Sequence, residues 1–218
     1  AKAAQEKVLN QRDGAEWTQQ DQDLYQSAID EKGLLGPFSQ EELEEQVGKL
    51  WIPARRFGIV QNGKLRPIDD FSEHLINASF GTQERVTMKG VDQIVSYTRA
   101  WRDAIQADRQ VTVSDTSGKI WKCDLHPDWE VDMFRSLQGR VADLKAAYKQ
   151  LPLSPAQKFV GVVAVKKKEG GVDLFRALSL MFGQTAAVYS SLWFSRALAA
   201  LASKLLNMVI VEFFDDFT

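Results

Sequence analysis

The sequence predicts an α+β protein, and three kinds of pattern support that class. Apolar side chains recur at three- and four-residue steps between residues 91 and 107, which is typical of an amphipathic helix. Strand-like runs joined by short turns predict several antiparallel hairpins. Helices and strands alternate irregularly along the chain, which favours α+β over a regular α/β order.

Residues 1–35 are polar and helix-prone. The next helix has a clear start, because Ser39 is the expected N-cap and Glu42, three residues later, completes a capping box. We expect this helix to end near Val47, because Gly48 follows it.

Two β-hairpins are predicted in the next part of the chain. The first covers residues 54–71, with Asn62-Gly63 as its turn. Pro67 in its second strand predicts an edge position, since proline cannot donate a ladder hydrogen bond. The second hairpin covers residues 110–123 and follows the helix predicted over 91–107.

The C-terminal part is predicted to contain strands, one long helix and a final apolar, β-prone run. We expect that last strand to lack a returning partner after Asp216. The predicted elements are strands over 139–144, 159–165 and 172–177, a helix over 185–206 and a strand that includes 208–211.

Composition describes an ordinary globular chain of 218 residues, with 44% hydrophobic and 26% charged residues. Its net charge of −2 hides an uneven distribution. The first 50 residues hold 5 Lys/Arg and 11 Asp/Glu, a net charge of −6, and the rest holds 22 and 18, a net charge of +4. The mildly basic part is the one suited to meeting phosphates.

Targeting and redox signals are few. A single cysteine, Cys123, excludes an internal disulfide framework and fits a reducing compartment. The first residues are polar and do not resemble a secretory signal. Arg196 and Lys204 interrupt the most apolar stretch, residues 186–214, so we expect no membrane span. We therefore predict an intracellular protein, cytoplasmic or nuclear, that is not secreted.

Three carboxylates carry the chemical signal. Asp143 ends one predicted strand, and Asp215-Asp216 ends the last one. Adjacent like charges are unfavourable unless a cation lies between them. Mg²⁺ prefers such hard oxygen ligands, and strand-end carboxylates on neighbouring strands could converge on two ions. The alternative is that Asp215-Asp216 simply begins a solvated turn.

Two further features suit a phosphorylated ligand. Gly183 lies at the start of the long predicted helix. The small glycine and the free backbone N–H groups of the helix start would let a nucleotide or template strand approach closely. Lys64 and Arg66 lie on the first hairpin, where an arginine can contact phosphate oxygens in a bidentate manner. A solvated hairpin is the alternative interpretation of these two cations.

Four segments resemble, in order, the motifs of a reverse transcriptase of the retroelement type. Lys64-Leu65-Arg66-Pro67-Ile68-Asp69-Asp70-Phe71, with Asn77 beyond it, resembles the fingers motif Lys-x-Arg-x-x-x-Asp-Phe. The other three are Asp143 to Gln150 (Asp-x-x-x-Ala-Tyr-x-Gln), Leu180-Met181-Phe182-Gly183 (Leu-Pro-Phe-Gly) and Phe213-Phe214-Asp215-Asp216 (aromatic-x-Asp-Asp). The resemblance covers about residues 36 to 218.

This resemblance implies a right-hand polymerase palm, an antiparallel, ferredoxin- or RRM-like sheet packed on helices, together with a fingers subdomain. It divides the chain into an acidic helical N-terminal appendage (1–35), fingers with an inserted helix and hairpin (36–138) and a palm core (139–218) truncated after the Asp-Asp motif. The thumb and ribonuclease H regions of a parent polyprotein would lie elsewhere, so we expect little processive synthesis from these residues alone.

The resemblance also implies roles for individual residues. Asp143, Asp215 and Asp216 would be catalytic and, with the backbone carbonyl of Leu144, would hold two Mg²⁺ ions, or Mn²⁺ in their place. The partners would be deoxynucleoside triphosphates and an RNA or DNA primer-template. The implied nucleotide-binding residues are Lys64, Arg66, Tyr148, Gln150, Phe182 and Gly183, with Tyr148 excluding a 2′-hydroxyl.

Departures from the family pattern keep two rivals open. Met181 stands where proline is usual, and Ser72 where arginine is frequent. One rival is an RNA-dependent RNA polymerase, although its usual second aspartate is here Tyr148. The other is a non-catalytic nucleic-acid-binding remnant of the same fold.

Asp69-Asp70 is interpreted as structural, either capping the chain or pairing with Arg66.

Overall fold

The computed structural model describes residues 1–10, 16–81, 87–106, 109–114, 117–128, 130, 132–133, 138–206, 208–214 and 216–217. The chain divides into two compact units. The first comprises Ala1–Arg85 and Ala146–Ser191, and the second comprises Val86–Lys145 and Leu192–Thr218. These units do not follow the predicted limits at residues 35 and 138, and the division into appendage, fingers and palm stays a prediction.

Helices and strands are mixed in both units, so the chain is an α+β protein, as predicted. The helices are α1 (Lys2–Leu9), α2 (Gln19–Asp30), α3 (Gln40–Val47), α4 (Ile76–Ser79), α5 (Val91–Gln106) and α6 (Thr185–Leu206). The strands are β1 (Leu34–Phe38), β2 (Pro53–Gln61), β3 (Lys64–Asp70), β4 (Gln110–Ser114), β5 (Ile120–Asp124), β6 (Ala142–Asp143), β7 (Val162–Lys166), β8 (Val172–Ala177), β9 (Glu212–Phe213) and β10 (Asp216–Phe217). Short 3₁₀ helices cover Ala147–Gln150 and Pro155–Val160.

A five-stranded mixed sheet organises the first unit, in the order β1-β8-β7-β2-β3. Only the β2–β7 pair is parallel. The central strand β7 is buried on both faces, which explains its continuous apolar sequence. Val163 and Val165 face one core cluster, and Val162 and Ala164 face the other. The edge position of Pro67 in β3 is confirmed.

Helices α1 and α2 pack onto this sheet. Val8 of α1 joins Trp51 in the core of one face, and Ala28 of α2 joins Phe175 in the core of the other. Tyr25 also donates a hydrogen bond to Asp173 Oδ2 at 2.6 Å. Both helices therefore belong to the first unit.

Local capping and turn signals are confirmed. The Ser39 hydroxyl accepts from the Glu42 N–H at 3.2 Å, and the Ser39 N–H donates to Glu42 Oε2 at 2.8 Å. Asn62 and Gly63 both have positive φ, 51° and 72°, as the two-residue turn between β2 and β3 requires. The hairpin β4–β5 and the helices α5 and α6 also lie where the sequence predicts them.

Several predicted strands are shorter than expected. Only Ala142–Asp143 of the run 139–144 forms a strand, and the run 159–165 begins as a 3₁₀ helix and becomes strand at Val162. Residues 208–211 are not strand, because β propensity alone does not supply a hydrogen-bonded neighbour. The expectation that the final strand lacks a returning partner was also wrong. Asp216–Phe217 forms that returning strand and is paired on both sides.

In the described part of the chain, no helix is long and apolar enough to cross a membrane.

Candidate functional site

The carboxylates of Asp143 and Asp216 lie on neighbouring strands in the second unit. Strand β10 is the middle strand of a three-stranded sheet in the order β6-β10-β9. Asp216 is paired with Asp143 on one side and with Phe213 on the other, both antiparallel. Strands β9 and β10 of the aromatic-x-Asp-Asp segment therefore form a hairpin, and Phe214, which follows β9, has a positive φ of 56°.

This register brings two like charges together. Directly opposite residues of antiparallel strands project from the same face, with Cβ atoms about 4.5–5.5 Å apart. Asp143 and Asp216 are both exposed, and no ion pair formed by the described residues involves either carboxylate. The pair is unfavourable without a cation, and its hard oxygen donors suit Mg²⁺.

The structure says less about the other two predicted metal ligands, Asp215 and the Leu144 carbonyl. Asp215 lies outside the described residues. Leu144, whose carbonyl the resemblance assigns to the metal, follows β6 directly and is partly buried. Among the described residues, no group of three or more His, Cys, Asp or Glu side chains could hold a metal ion. The fit to a divalent cation therefore rests on two of the three predicted carboxylates, Asp143 and Asp216.

Glu212 holds the same hairpin through two cations. Its carboxylate is 4% exposed and lies 2.8 Å from Lys89 Nζ and 4.0 Å from Arg196 Nε. Arg196 also donates to the Thr87 carbonyl at 2.6 Å. A buried carboxylate beside two cations ties β9 to α6 and to the chain preceding α5. Sequence reasoning assigned Glu212 no role, because its partners are far away in the chain.

Three predicted nucleotide-binding residues meet in the first unit. Tyr148, Phe182 and Gly183 line one cleft of about 210 Å³, here called the Tyr148 cleft. The ring centroids of Tyr148 and Phe182 are 5.9 Å apart. Phe182 is 59% exposed, so its ring is available to a ligand. The other residues of this cleft are Met181, Gln184, Thr185 and Val188.

Gly183 is required at its position for two reasons. Its φ is +99°, a value that other residues adopt only with strain. A Cβ there would lie 2.8 Å from the Asp69 carbonyl oxygen. The turn therefore packs backbone to backbone against the end of β3, which fixes one wall of the Tyr148 cleft.

Asn77 holds the same turn from the other side. Its Nδ2 donates to the Gly183 carbonyl at 2.9 Å, and its Oδ1 accepts from the Thr185 N–H at 2.8 Å. The second bond satisfies one of the free N–H groups at the start of α6. The resemblance included Asn77 without a role, and the structure supplies one.

The other predicted nucleotide-binding residues lie apart from this cleft's lining. Gln150 lines a separate cavity of about 710 Å³, together with Lys149 and Ser179. Lys64 and Arg66 are exposed on β3, where Arg66 is paired with Ile59. Both cations project from one face of the hairpin, since they are two residues apart on a strand.

Asp69 and Asp70 have the structural roles expected, with a different partner for Asp69. Asp70 Oδ1 accepts from the N–H groups of Ser72 and Glu73, both at 2.9 Å. Asp69 pairs with Arg56 instead of Arg66, because the hairpin register places Arg56 directly opposite it. Burial raises the pKa of Asp69, and the Arg56 guanidinium opposes that shift.

Comparison with known proteins adds no relative: no protein-family model matches the chain, and a search of curated proteins finds no significant match. The α+β class and the geometry of the two residue groups therefore stand on the structure alone. One group is the carboxylate pair of the second unit, and the other is the Tyr148 cleft of the first.

Proposed function

We propose that the chain is the fingers-and-palm part of a reverse transcriptase, which copies an RNA or DNA template into DNA within a retroelement polyprotein. The observation that carries the proposal is the register of Asp216 opposite Asp143. Two sequence motifs that lie far apart in the chain supply those carboxylates, and their strands are hydrogen-bonded neighbours. Support of a different kind comes from the Tyr148 cleft, where the motif that also supplies Asp143 meets the Leu180–Gly183 motif.

The carboxylates would act as the metal-binding group of this enzyme. Asp143 and Asp216, with Asp215 and the Leu144 carbonyl, would hold the ions. Two bound Mg²⁺ ions, or Mn²⁺ in their place, supply charge stabilisation to the attacking and leaving oxygens of an in-line phosphoryl transfer. The protein's own contribution is then mainly positioning and fixed charge.

The Tyr148 cleft would receive the incoming nucleotide. The Tyr148 ring would lie under the sugar and exclude a 2′-hydroxyl, and the exposed face of Phe182 would pack against the nucleotide. Gly183 carries no side chain, so the backbone of the turn remains accessible. Gln150 would lie near the pocket, and Lys64 and Arg66 would contact the triphosphate from the hairpin. A right-hand palm with a fingers subdomain is the architecture that belongs to this proposal.

Primer extension tests this proposal. We expect the longer parent protein, which carries the predicted thumb, to extend a primed template with deoxynucleotides in Mg²⁺. Asp143→Asn should reduce extension by at least about 1,000-fold, a loss typical of removing a catalytic group. Asp103→Asn is the matched control, because Asp103 is a 64% exposed carboxylate of the same unit.

Two results would contradict the proposal. Extension by Asp143→Asn at the rate of the Asp103→Asn control would remove the metal site and favour a non-catalytic nucleic-acid-binding protein. A parent that prefers ribonucleotides to deoxynucleotides would favour an RNA-dependent RNA polymerase, in which a tyrosine at position 148 is not expected to exclude the 2′-hydroxyl.

A further inference from the structure

A buried guanidinium connects the two walls of the Tyr148 cleft. One wall is the 3₁₀ helix Ala147–Gln150, which carries Tyr148, and the other is the turn at Phe182-Gly183. The Arg56 side chain is 1% exposed and reaches toward both walls through carboxylates. We call the following four residues the Arg56 network: Arg56, Glu31, Asp69 and Lys149.

The first arm runs from Arg56 to the glycine turn. Arg56 Nε donates to Asp69 Oδ1 at 2.8 Å, and Nη2 donates to Asp69 Oδ2 at 2.9 Å. Such a bidentate pair fixes the orientation as well as the distance of the carboxylate. The Asp69 carbonyl oxygen in turn touches Gly183, where a Cβ would be only 2.8 Å away. The arm therefore positions the turn that carries Phe182.

The second arm runs from Arg56 to the 3₁₀ helix. Arg56 Nη1 donates to Glu31 Oε2 at 3.0 Å, and Lys149 Nζ lies 2.8 Å from Glu31 Oε1. The Glu31 side chain is 9% exposed, and that of Lys149 is 44% exposed. Because Lys149 directly follows Tyr148, this arm restrains the wall that carries the tyrosine.

Charge balance explains why the arrangement is stable. The network contains two cations and two carboxylates, so its formal charge is zero. Removing Arg56 or Asp69 would leave a buried charge uncompensated, which is strongly unfavourable, whereas an intact set has a specific geometry that apolar side chains would not impose. The Arg56 network thus suits positioning better than it suits stabilisation.

We propose that the Arg56 network is a positioning device that sets the separation of Tyr148 from Phe182. In a nucleotide-binding cleft, that separation determines how tightly the sugar of the incoming deoxynucleotide is held. This consequence rests on the proposed polymerase function, whereas the positioning of the rings does not.

The variants are chosen to preserve the fold. Lys149→Met and Glu31→Gln each break the second arm and leave the bidentate Arg56–Asp69 pair in place. Lys149→Arg retains the charge and should behave as the wild type. Lys167→Met is the matched control, because Lys167 is 36% exposed and forms a comparable ion pair with Asp173 at 3.3 Å.

The first measurement needs no activity. The chain contains 4 tyrosines, so ¹⁹F NMR of protein labelled with 3-fluorotyrosine gives few resonances, and Tyr148→Phe identifies the one from Tyr148. We expect Glu31→Gln, which is distant in sequence, to shift or broaden that resonance, with Lys167→Met leaving it unchanged. An unchanged Tyr148 resonance in Glu31→Gln would overturn the proposal, whether or not the protein is a polymerase.

The second measurement uses the parent enzyme. Lys149→Met and Glu31→Gln should each raise the KM for deoxynucleotide about five- to tenfold, with kcat changed less than about twofold, and the double variant should be no worse than either single one. Additive effects in the double variant, or an equal effect of Lys149→Arg, would show that the residues do not act as one network. If the ¹⁹F shift occurs in a parent without polymerase activity, the proposed function fails and the positioning stands.

Discussion

Asp143 and Asp216 are directly opposite each other on adjacent antiparallel strands, although 72 residues separate them in the chain. Their carboxylates are exposed, and within the described part of the chain no cationic side chain pairs with them. A like-charge pair at that position weakens the small sheet that carries it. Its presence is consistent with a site whose function requires a bound cation.

Divalent metal should stabilise the protein through this pair. We expect millimolar Mg²⁺ or Mn²⁺ to raise the thermal unfolding midpoint of the wild type and to have little effect on Asp143→Asn. Without metal, Asp143→Asn should itself raise the midpoint by about 1–3 °C, because it removes the repulsion. Differential scanning fluorimetry with and without EDTA, with Asp103→Asn as control, measures both effects. An equal metal response in Asp143→Asn would contradict the assignment.

Gly183→Ala should be much more destabilising than an ordinary glycine replacement. Gly170 is the matched control, since its φ of +86° is similar but a Cβ there would meet nothing within 4 Å. We expect Gly170→Ala to lower the free energy of unfolding by about 1 kcal/mol and Gly183→Ala to lower it by about 2–4 kcal/mol. Urea denaturation gives both values. Equal losses would mean that the close approach to Asp69 is absent.

Loss of the Asn77 side chain should release the start of α6. Asn77→Ala removes the bonds to the Gly183 carbonyl and the Thr185 N–H, so we expect a loss of about 1–2 kcal/mol in unfolding free energy. Hydrogen exchange of the Thr185 amide should become faster at the same time. Gln26→Ala, which removes one exposed hydrogen bond to Asp30, should change stability by less than about 0.5 kcal/mol. Unaltered exchange at Thr185 would argue against this role of Asn77.

Tyr25 should ionise at unusually high pH. Burial and its hydrogen bond to Asp173 raise the pKa of Tyr25 from 10.0 to about 12. Because the folded-state pKa is the higher one, the stability that this group contributes is fully present below pH 10 and is lost as the pH rises towards about 12. Absorbance titration of the wild type and Tyr25→Phe measures the difference, with the 38% exposed Tyr97, replaced by Phe, as control. A normal pKa for Tyr25 would contradict the packing of α2 on the sheet.

Features encoded by neighbouring residues were predictable from the sequence. The Ser39–Glu42 capping box, the Asn62-Gly63 turn and the edge position of Pro67 depend on groups a few residues apart or on the covalent geometry of one residue, and all three are confirmed. The long helix α6 was predictable for a related reason, since its extent follows from a continuous run without Gly or Pro. The α+β class follows from these local elements.

Strand lengths and buried charge partners were not predictable in the same way. Strand β1 was missed, and the run 208–211 was wrongly predicted as strand, because a strand exists only where a neighbouring chain supplies its hydrogen bonds. Asp69-Asp70 was expected either to cap the chain or to pair with Arg66, but the cross-strand register places Arg56 opposite Asp69. Glu31 and Glu212 gave no sequence signal at all, since their cationic partners come from distant parts of the chain.

By itself, the sequence determined the local helices, turns and caps of this protein and the residue types of its candidate site. Only the tertiary structure decided which of those residues meet: Asp143 with Asp216, Tyr148 with Phe182, and Asn77 with Gly183. The physical reason is that short-range hydrogen bonds and backbone preferences act between sequence neighbours. Strand register and backbone-to-backbone contact join residues far apart in the chain, and they exist only once the sheets have formed.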